Sequence, residues 1–187
     1  MFNHNILILD VEATGTDVTR HEMIQLAAVL LDKKTLKEKA FFNSYIKPEH
    51  WKNRMPEAMK VNGISWEQLK DAPSMRSVLQ KFTKQFGPHV LPTTYGGNLD
   101  IVFLPAAYRQ AKLKFPFDYH TFNFWALCYT YMAKRKKLTN KKRFAGFRLE
   151  EVAKDLKVPV PESRHDALVD CRFEAAVLRK LVTALKV

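Results

Sequence analysis

The fold of this chain is indicated first by residues 6–12, which read Ile-Leu-Ile-Leu-Asp-Val-Glu. The aliphatic run at residues 6–9 favours a central strand that is buried on both faces. Asp10 and Glu12 follow at positions i and i+2, and on an extended chain this spacing points both carboxylates to the same face. The stretch predicts a buried strand ending in two acids that could share a cation. Taken alone, the same pair is also typical of a solvent-exposed strand end.

Further strands and helices are predicted on either side of this stretch. Residues 23–31 and 40–46 are extended segments separated by a polar turn at 32–35, which predicts an antiparallel meander. Residues 90–95 predict another strand, followed by Gly96-Gly97. Helices are predicted at residues 56–62, 74–86, 100–112, 123–136, 149–156 and 167–185. Strands followed by alternating strands and helices predict an α/β fold with a mixed sheet, and residues 1–187 are expected to form a single domain.

The charge and composition of the chain indicate which class of partner it binds and in which cellular compartment it is expected. Lys and Arg number 31 against 19 Asp and Glu, which gives a net charge of +12. This excess favours an acidic partner, above all nucleic acid, while an anionic membrane surface is the weaker alternative. The uncharged stretches fall short of the roughly 18 apolar residues that span a bilayer, and the N-terminus lacks the pattern of a secretory leader. We therefore expect a cytoplasmic protein without a membrane partner, in which Cys128 and Cys171 are buried reduced thiols.

Two later acids and a histidine extend the predicted site. Asp100 begins a predicted helix, where an acid alternatively serves only to cap the helix and complement its dipole. His165 and Asp170 flank the start of the last helix, and five residues of regular helix would not aim both at one point. We therefore expect His165 in the loop or the first turn, with Asp166 or a capping box from Ser163 starting the helix. The ordered combination Asp-x-Glu, Asp, His-x-x-x-x-Asp is far more specific than any of its parts.

In this combination the sequence resembles the DEDDh superfamily of 3′–5′ exonucleases, which have the ribonuclease H-like fold. The matching motifs cover nearly the whole chain: residues 10–15, residues 23–29, Asn62-Gly63-Ile64-Ser65 with Ala72-Pro73, Asn98-Leu99-Asp100 with Phe103-Leu104, and residues 165–170. The resemblance implies an α/β fold with a ribonuclease H-like mixed sheet, in which an antiparallel meander is followed by parallel strands and helices flank the sheet.

The resemblance also implies a reaction and its residues. Asp10, Glu12, Asp100 and Asp170 correspond to the family's ligands for two Mg²⁺ or Mn²⁺ ions, and His165 corresponds to its general base. The implied activity is hydrolysis of DNA or RNA from single-stranded 3′ ends, with release of 5′-mononucleotides. Ala13 and Thr14 are expected to contact substrate. The sequence departs from the family where Tyr95-Gly96-Gly97 stands in place of a His-Asn pair, which affects the expected substrate contacts near Asp100.

A second substrate-binding segment is predicted from charge. Residues 119–149 contain no acid that could pair with the cations there. The positive residues of this segment are Lys134, Arg135, Lys136, Lys137, Lys141, Lys142, Arg143 and Arg148. We expect Lys136, Lys137, Lys141, Lys142 and Arg143 to hold the backbone of the strand, although a solvated loop gives the same pattern. Phe144 and Phe147 are expected to be buried.

Two other functions are compatible with parts of the sequence. One is a catalytically silent exonuclease fold that binds nucleic acid or a protein, which the presence of all five active positions disfavours. The other is a basic metal-binding adaptor whose acids are scattered over the surface. Self-association occurs in the superfamily, so a homodimer is compatible with the resemblance, but no sequence feature requires it.

Overall fold

A computed structural model of the protein describes residues 2–95, 99–138, 140–141, 144–145, 147–162 and 165–186. The described strands are β1 (Asn5–Ala13), β2 (Met23–Leu31), β3 (Glu38–Tyr45), β4 (Val90–Thr94), β5 (Phe122–Asn123), β6 (Asn140–Lys141) and β7 (Phe144–Ala145). The described helices are α1 (Pro56–Asn62), α2 (Trp66–Leu69), α3 (Met75–Phe86), α4 (Leu99–Gln110), α5 (Phe124–Lys134), α6 (Leu149–Asp155) and α7 (Ala167–Leu185).

The first five strands form one mixed sheet in the order β3-β2-β1-β4-β5. Strands β1, β2 and β3 are antiparallel neighbours, whereas β4 runs parallel to both β1 and β5. The predicted meander followed by parallel strands is therefore confirmed, and β1 lies at the centre of the sheet. A parallel sheet places the carboxyl ends of its strands at one edge, which is where ligands bind in α/β folds.

Helices cover both faces of the sheet because β1 is apolar on both sides. Ile6 and Ile8 belong to a core shared with α5, α6 and α7. Leu7 and Leu9 belong to a second core shared with α3 and α4. Side chains alternate along a strand, so Asp10 and Glu12 continue the Ile6 and Ile8 series toward the face covered by α7.

Local sequence signals fix several element ends. Ser74 caps α3 by accepting a hydrogen bond from the Ser77 amide at 3.4 Å. Helix α1 starts with Pro56 at its first turn and ends at Gly63, whose φ of 67° is the left-handed conformation that favours glycine. Pro105 lies inside α4, where a proline usually kinks or ends a helix. Helix α4 nevertheless runs from Leu99 to Gln110, and it stops before the predicted end at residue 112.

Short elements were not predicted: a 3₁₀ turn at Trp51–Asn53, α2, β5 and the β6–β7 hairpin. Each has seven or fewer residues, too few for a hydrophobic period to appear. Both cysteines are buried and free, as predicted. Among the described residues, no helix is both long and apolar enough to cross a bilayer.

Candidate active site

The site is built around the end of β1. Glu12 faces Gln25 of β2 in the sheet register, and the register shifts immediately after it, between Glu12 and Ala13. Such a bulge re-aims the chain at the rim of a sheet, a common position for functional residues. Asp10 and Glu12 are both half-buried. Their placement on one face at the strand end agrees with the prediction from their i, i+2 spacing.

Asp100 approaches β1 from the opposite layer. It lies in the first turn of α4, and its Oδ1 accepts a hydrogen bond from the Val11 amide at 3.3 Å. Val11 lies between the two acids of β1, so this bond brings the third carboxylate to the same point on the strand. A role for Asp100 only in capping the helix and complementing its dipole would not require this bond to β1.

His165 and Asp170 are joined at the start of α7. Asp166 caps the helix by accepting hydrogen bonds from the Leu168 and Val169 amides at 3.0 and 3.1 Å. His165 lies just outside the helix with a left-handed φ of 66°, and its amide donates to Asp170 Oδ2 at 3.0 Å. The expectation that His165 precedes the helix is confirmed, and Asp166 is the cap. Ser163, the other predicted cap, lies outside the described residues.

The two halves of the site meet between β1 and α7. Ligand atoms of Glu12, His165 and Asp170 all lie within 4.8 Å of one another. Asp170 is only 7% exposed, whereas His165 is exposed. The structure therefore brings Glu12 of β1 next to Asp170 of α7 and His165, which precedes α7. Glu12 and these two residues are more than 150 positions apart in the chain.

Burial and mutual repulsion raise the pKa values of these acids. Burial followed by repulsion from Asp170 and Asp100 raises the pKa of Glu12 from 4.5 to about 8. Burial, opposed by the hydrogen bond from the Val11 amide, raises the pKa of Asp100 from 3.8 to about 6. Burial raises the pKa of Asp10 well above its usual range, and Asp100 adds to this effect. The carboxylates are thus close enough to destabilise one another's charged forms.

A buried carboxylate beyond the predicted set adds to this repulsion. Glu174 lies one helical turn after Asp170, is 7% exposed, and also raises the pKa of Asp10. Its i+4 spacing from Asp170 places it on the same face of α7. The sequence carried that signal, but a glutamate inside an amphipathic helix is normally a surface residue.

This donor set fits a hard divalent cation. Mg²⁺ and related ions prefer carboxylate oxygens, and a positive ion would offset the repulsion that raises these pKa values. Ligand atoms of Glu12, Asp170 and His165 lie close enough together to hold one ion, and the electrostatic effect of Asp100 and Asp170 on Asp10 places these acids nearby. The assignment of Asp10, Glu12, Asp100 and Asp170 as metal ligands stays a prediction that this arrangement fits.

An apolar cleft of about 460 Å³ opens beside the acids. Glu12 and Asp100 form one side of it, and Phe103 and Val61 contribute apolar surface. A volume of this size is within the usual range for a small-molecule pocket, roughly 300–1,000 Å³. Ala13 lines the cleft as predicted for a substrate contact, together with Gly15 and Thr16.

Thr14 has a structural position in the loop between β1 and β2. It is 1% exposed, its hydroxyl accepts a hydrogen bond from the Glu22 amide at 2.9 Å, and its carbonyl accepts from the Met55 amide at 2.7 Å. Gly15 follows where a Cβ would meet the His21 ring at 2.6 Å, so only glycine fits without a shift. Thr14 therefore holds the loop that forms the cleft wall, and the expected substrate contact at Thr14 stays a prediction.

A family model named RNase_T and described as an exonuclease matches residues 7–178. The chain belongs to this exonuclease family. The match includes all five predicted active positions, and it confirms that the resemblance seen in the motifs extends over nearly the whole chain.

Curated relatives and solved structures agree with this membership. DNA polymerase III subunit epsilon from Rickettsia typhi is 38% identical over 114 residues, which are 58% of this chain and 48% of that protein. The same subunit from Aquifex aeolicus is 27% identical and covers 99% of this chain and 84% of that protein. The chain thus spans about half the length of its Rickettsia relative.

Solved structures establish the fold. The nuclease domain of 3′hExo, a DEDDh family member bound to rAMP, has a TM-score of 0.74 at 22% identity and covers 96% of this chain and 92% of that one. The zinc-bound E. coli ExoI–ssDNA complex has a TM-score of 0.81 at 18% identity and covers 97% of this chain and 41% of that one. The chain therefore has the ribonuclease H-like fold.

The basic segment, residues 119–149, differs from expectation in one respect. Asp155, at the end of α6, accepts hydrogen bonds from Arg135 and Lys137 and from the Tyr131 hydroxyl. The Lys137 ammonium, followed by Tyr131, lowers the pKa of Asp155 to about 2. The expectation that these cations have no acid to pair with is wrong for Arg135 and Lys137, because the fold supplies one from the next helix.

The remaining basic positions divide by what the structure describes. Lys136 is exposed after α5. Lys141 belongs to β6, but its side chain, together with Lys142 and Arg143, lies outside the described residues. Phe147 is buried, as predicted, and stacks on Trp125 with ring centroids 5.7 Å apart. The strand-holding role of the segment stays a prediction.

Proposed function

We propose that this chain is a metal-dependent 3′–5′ exonuclease that hydrolyses single-stranded ends of DNA or RNA and releases 5′-mononucleotides. The observation that carries the proposal is the convergence of Glu12, His165 and Asp170 within 4.8 Å, with Asp10 and Asp100 close enough to perturb each other's ionisation. Buried acids that raise one another's pKa values are costly to the fold, and such groups cluster at functional sites.

Four carboxylates are proposed to hold two Mg²⁺ or Mn²⁺ ions: Asp10, Glu12, Asp100 and Asp170. When bound, the ions supply positive charge that offsets the charge developing on the phosphodiester oxygens. The protein contributes the fixed position of each carboxylate. Asp100 is held by the Val11 amide and Asp170 by the His165 amide, so neither has to reorganise when charge develops.

His165 is proposed as the general base. Its left-handed backbone and the bond from its amide to Asp170 place the exposed imidazole beside the acids. In the proposed reaction, the imidazole takes a proton from the water that attacks phosphorus, and the bond from phosphorus to the 3′ oxygen breaks. The last nucleotide leaves with its 5′ phosphate, and the shortened strand keeps a 3′ hydroxyl. Imidazole is the side chain most often used to accept a proton in catalysis, which suits this task.

The cleft beside the acids is proposed to hold the terminal nucleotide. Phe103 and Val61 offer apolar surface for a base, while Glu12 and Asp100 mark the end where hydrolysis occurs. Proteins of the same fold support this assignment, since 3′hExo is described bound to rAMP and E. coli exonuclease I bound to a dA16 oligonucleotide. These ligands include both a ribonucleotide and DNA, so the proposal covers both.

Residues 1–187 are proposed to act as a single exonuclease domain in the cytoplasm. The relatives named DNA polymerase III subunit epsilon suggest work on 3′ ends made during DNA synthesis, whereas the similarity to 3′hExo suggests RNA. A substrate panel separates the two. Matched single-stranded and duplex DNA and RNA oligonucleotides are incubated with Mg²⁺, Mn²⁺ or chelator, and the initial rates are compared.

We expect metal-dependent rates that are higher on single strands than on matched duplexes. Equal, metal-independent rates on all substrates would contradict the proposal. An absence of cleavage with every substrate and metal would favour the catalytically silent alternative.

A further inference from the structure

A second cavity, of about 710 Å³, is lined by residues 19–22 of the β1–β2 loop, whereas Gly15 and Thr16 of the same loop line the active-site cleft. Its walls are that loop, the segment after β3, the start of α3 and the end of α4. Four basic side chains line it: Arg20, Lys47, Arg76 and Lys112. We name this the basic cavity. No residue proposed for catalysis or metal binding lines it.

The positive charge of the basic cavity is only partly balanced. Among the described residues, no carboxylate lies within ion-pair distance of Lys47, Arg76 or Lys112. Arg76 donates instead to the Ala111 carbonyl at 2.5 Å, and this contact fixes the guanidinium without neutralising its charge. Clustered cations that lack a partner repel one another, so an anion would be favourable there.

One of the two acids that line the cavity is hydrogen-bonded within its wall. Glu22 also lines the cavity, but its two carboxylate oxygens accept hydrogen bonds from the Glu49 and His50 amides at 2.9 and 2.7 Å. This contact ties the segment after β3 to the start of β2. Glu22 therefore acts as part of the cavity wall, and only Glu49 remains as a second acid among the lining residues.

Helix α3 adds to the positive potential. Ser74, Met75 and Arg76, at its first turn, line the cavity, and its first turn contains no acid. The amino end of a helix carries a partial positive charge and presents backbone N–H groups to anions. The dipole of α3 and the four basic side chains therefore both make the electrostatic potential in the basic cavity more positive.

Helix α4 connects the basic cavity with the active site. Asp100 and Phe103 at its start line the cleft, and Gln110 near its end lines the basic cavity. Ten residues of helix amount to roughly 15 Å at about 1.5 Å per residue. The β1–β2 loop also borders both, with Thr16 in the cleft and Thr19 in the basic cavity. A strand whose 3′ end occupies the cleft needs only a few nucleotides to reach the basic cavity.

We infer that the basic cavity binds a backbone phosphate of the substrate strand, a few nucleotides away from the scissile bond. The inference rests on the proposed function for the identity of the strand. A backbone phosphate and a free phosphate anion present the same chemical group, so the test below distinguishes the two as ligands of the basic cavity. Such a contact would anchor long substrates without reading their sequence.

The test compares two pairs of substitutions with equal change in net charge. Lys47→Gln with Lys112→Gln removes charge from the basic cavity, whereas Lys81→Gln with Lys84→Gln removes it from exposed positions near the other end of α3. Anisotropy in chelator, which prevents cleavage, gives the affinity for a labelled single strand of about 12 nucleotides, close to the usual site sizes for single strands. Hydrolysis of the p-nitrophenyl ester of thymidine 5′-phosphate, with Mg²⁺, reports on the active site alone.

For the Lys47 and Lys112 variant we expect about a tenfold loss of affinity for the 12-nucleotide strand. The slope of log affinity against log salt should become shallower by about 1.4, since each single-strand phosphate contact contributes about 0.7. Ester hydrolysis should be unchanged, and the Lys81 and Lys84 variant should behave like the parent. An equal loss in both variants, or an unchanged affinity and slope in the first, would overturn the inference.

Two further measurements, the melting temperature in inorganic phosphate and hydrolysis by the parent protein, distinguish the other possible results. If inorganic phosphate raises the melting temperature of the parent but not of the Lys47 and Lys112 variant, while strand affinity is unchanged, the cavity takes free phosphate and the strand assignment is wrong. If the parent does not hydrolyse the ester or any oligonucleotide, the proposed function fails. The affinity measured in chelator still decides the role of the basic cavity.

Discussion

Replacing Glu12 by Gln should stabilise the metal-free protein near neutral pH. Burial and the neighbouring acids raise the pKa of Glu12 from 4.5 to about 8, so the folded state disfavours its charged form. Below pH 4.5 Glu12 is protonated in both the folded and the unfolded chain, so it does not change the free energy of unfolding. As pH rises from 4.5 toward 8, the unfolded chain gains stability from ionising Glu12 while the folded chain does not, and above pH 8 the difference is constant. In the metal-free parent, this component of the free energy of unfolding should fall across that window.

The size of the effect follows from the pKa difference. At about 1.4 kcal/mol per pKa unit, a group with these two pKa values destabilises the folded state by about 3 kcal/mol at neutral pH. Partial exposure of Glu12 screens the charge, which lowers the expected gain from Glu12→Gln to roughly 1–3 kcal/mol. For a chain of this length, each kcal/mol corresponds to about 2–4 °C in melting temperature.

The assay is thermal unfolding in chelator and in Mg²⁺ at several pH values. In chelator, Glu12→Gln should melt several degrees above the parent at neutral pH and at the same temperature near pH 4. In saturating Mg²⁺ the order should reverse or the gap should close, because the parent gains about 2.7 kcal/mol when the ion exceeds its Kd a hundredfold. Glu67→Gln, an exposed glutamate outside the site, is the matched control; it loses only a surface ion pair with Lys70, so both curves should shift by less than about 1 kcal/mol. A metal-free Glu12→Gln no more stable than the parent at neutral pH would refute the reasoning.

Three further variants test other parts of the account. Asp10→Asn should abolish cleavage and most of the Mg²⁺-induced rise in melting temperature while the domain stays folded; wild-type rates in the folded variant would reject the metal site. His165→Ala should lower turnover by about 10²–10⁴ yet keep most of the Mg²⁺-induced rise, and an unchanged rate between about pH 6 and 8 would count against a general base. Lys136→Gln should weaken strand binding more than Lys137→Gln, because Asp155 already balances the Lys137 charge; the opposite order in anisotropy titrations would contradict this.

The central strand and the placement of acids at its end could be predicted because their signals are local or ordered along the chain. Residues 6–12 predict a buried strand that ends in acids, and the i, i+2 spacing of Asp10 and Glu12 places both side chains on the same face of that strand. His165 had to lie outside the last helix because helical geometry would separate it from Asp170. The structure has both features.

The contacts that could not be predicted from the sequence are those between segments far apart in the chain. Asp155 balances Arg135 and Lys137 from the next helix, and nothing in the basic run itself indicates that partner. Thr14 was expected to contact substrate, and nothing in the local sequence indicates that its carbonyl and hydroxyl accept hydrogen bonds from the Met55 and Glu22 amides. Packing of chain segments far apart in sequence decides these roles.

The same limit applies to the basic cavity and to Glu174. Lys47, Arg76 and Lys112 are isolated cations in the sequence, and only the packing of α3 against the end of α4 brings them together. Glu174 is buried because α7 lies on β1, which turns an ordinary helix glutamate into a neighbour of Asp10.

The most direct test of the central claim is degradation of a single strand labelled at its 5′ end, followed over time by gel electrophoresis in Mg²⁺. A 3′–5′ exonuclease with this site should produce a ladder of shortening labelled strands, none in chelator, and none from Asp170→Asn. Release of a labelled mononucleotide at the earliest times, or cleavage that survives both chelator and Asp170→Asn, would contradict it.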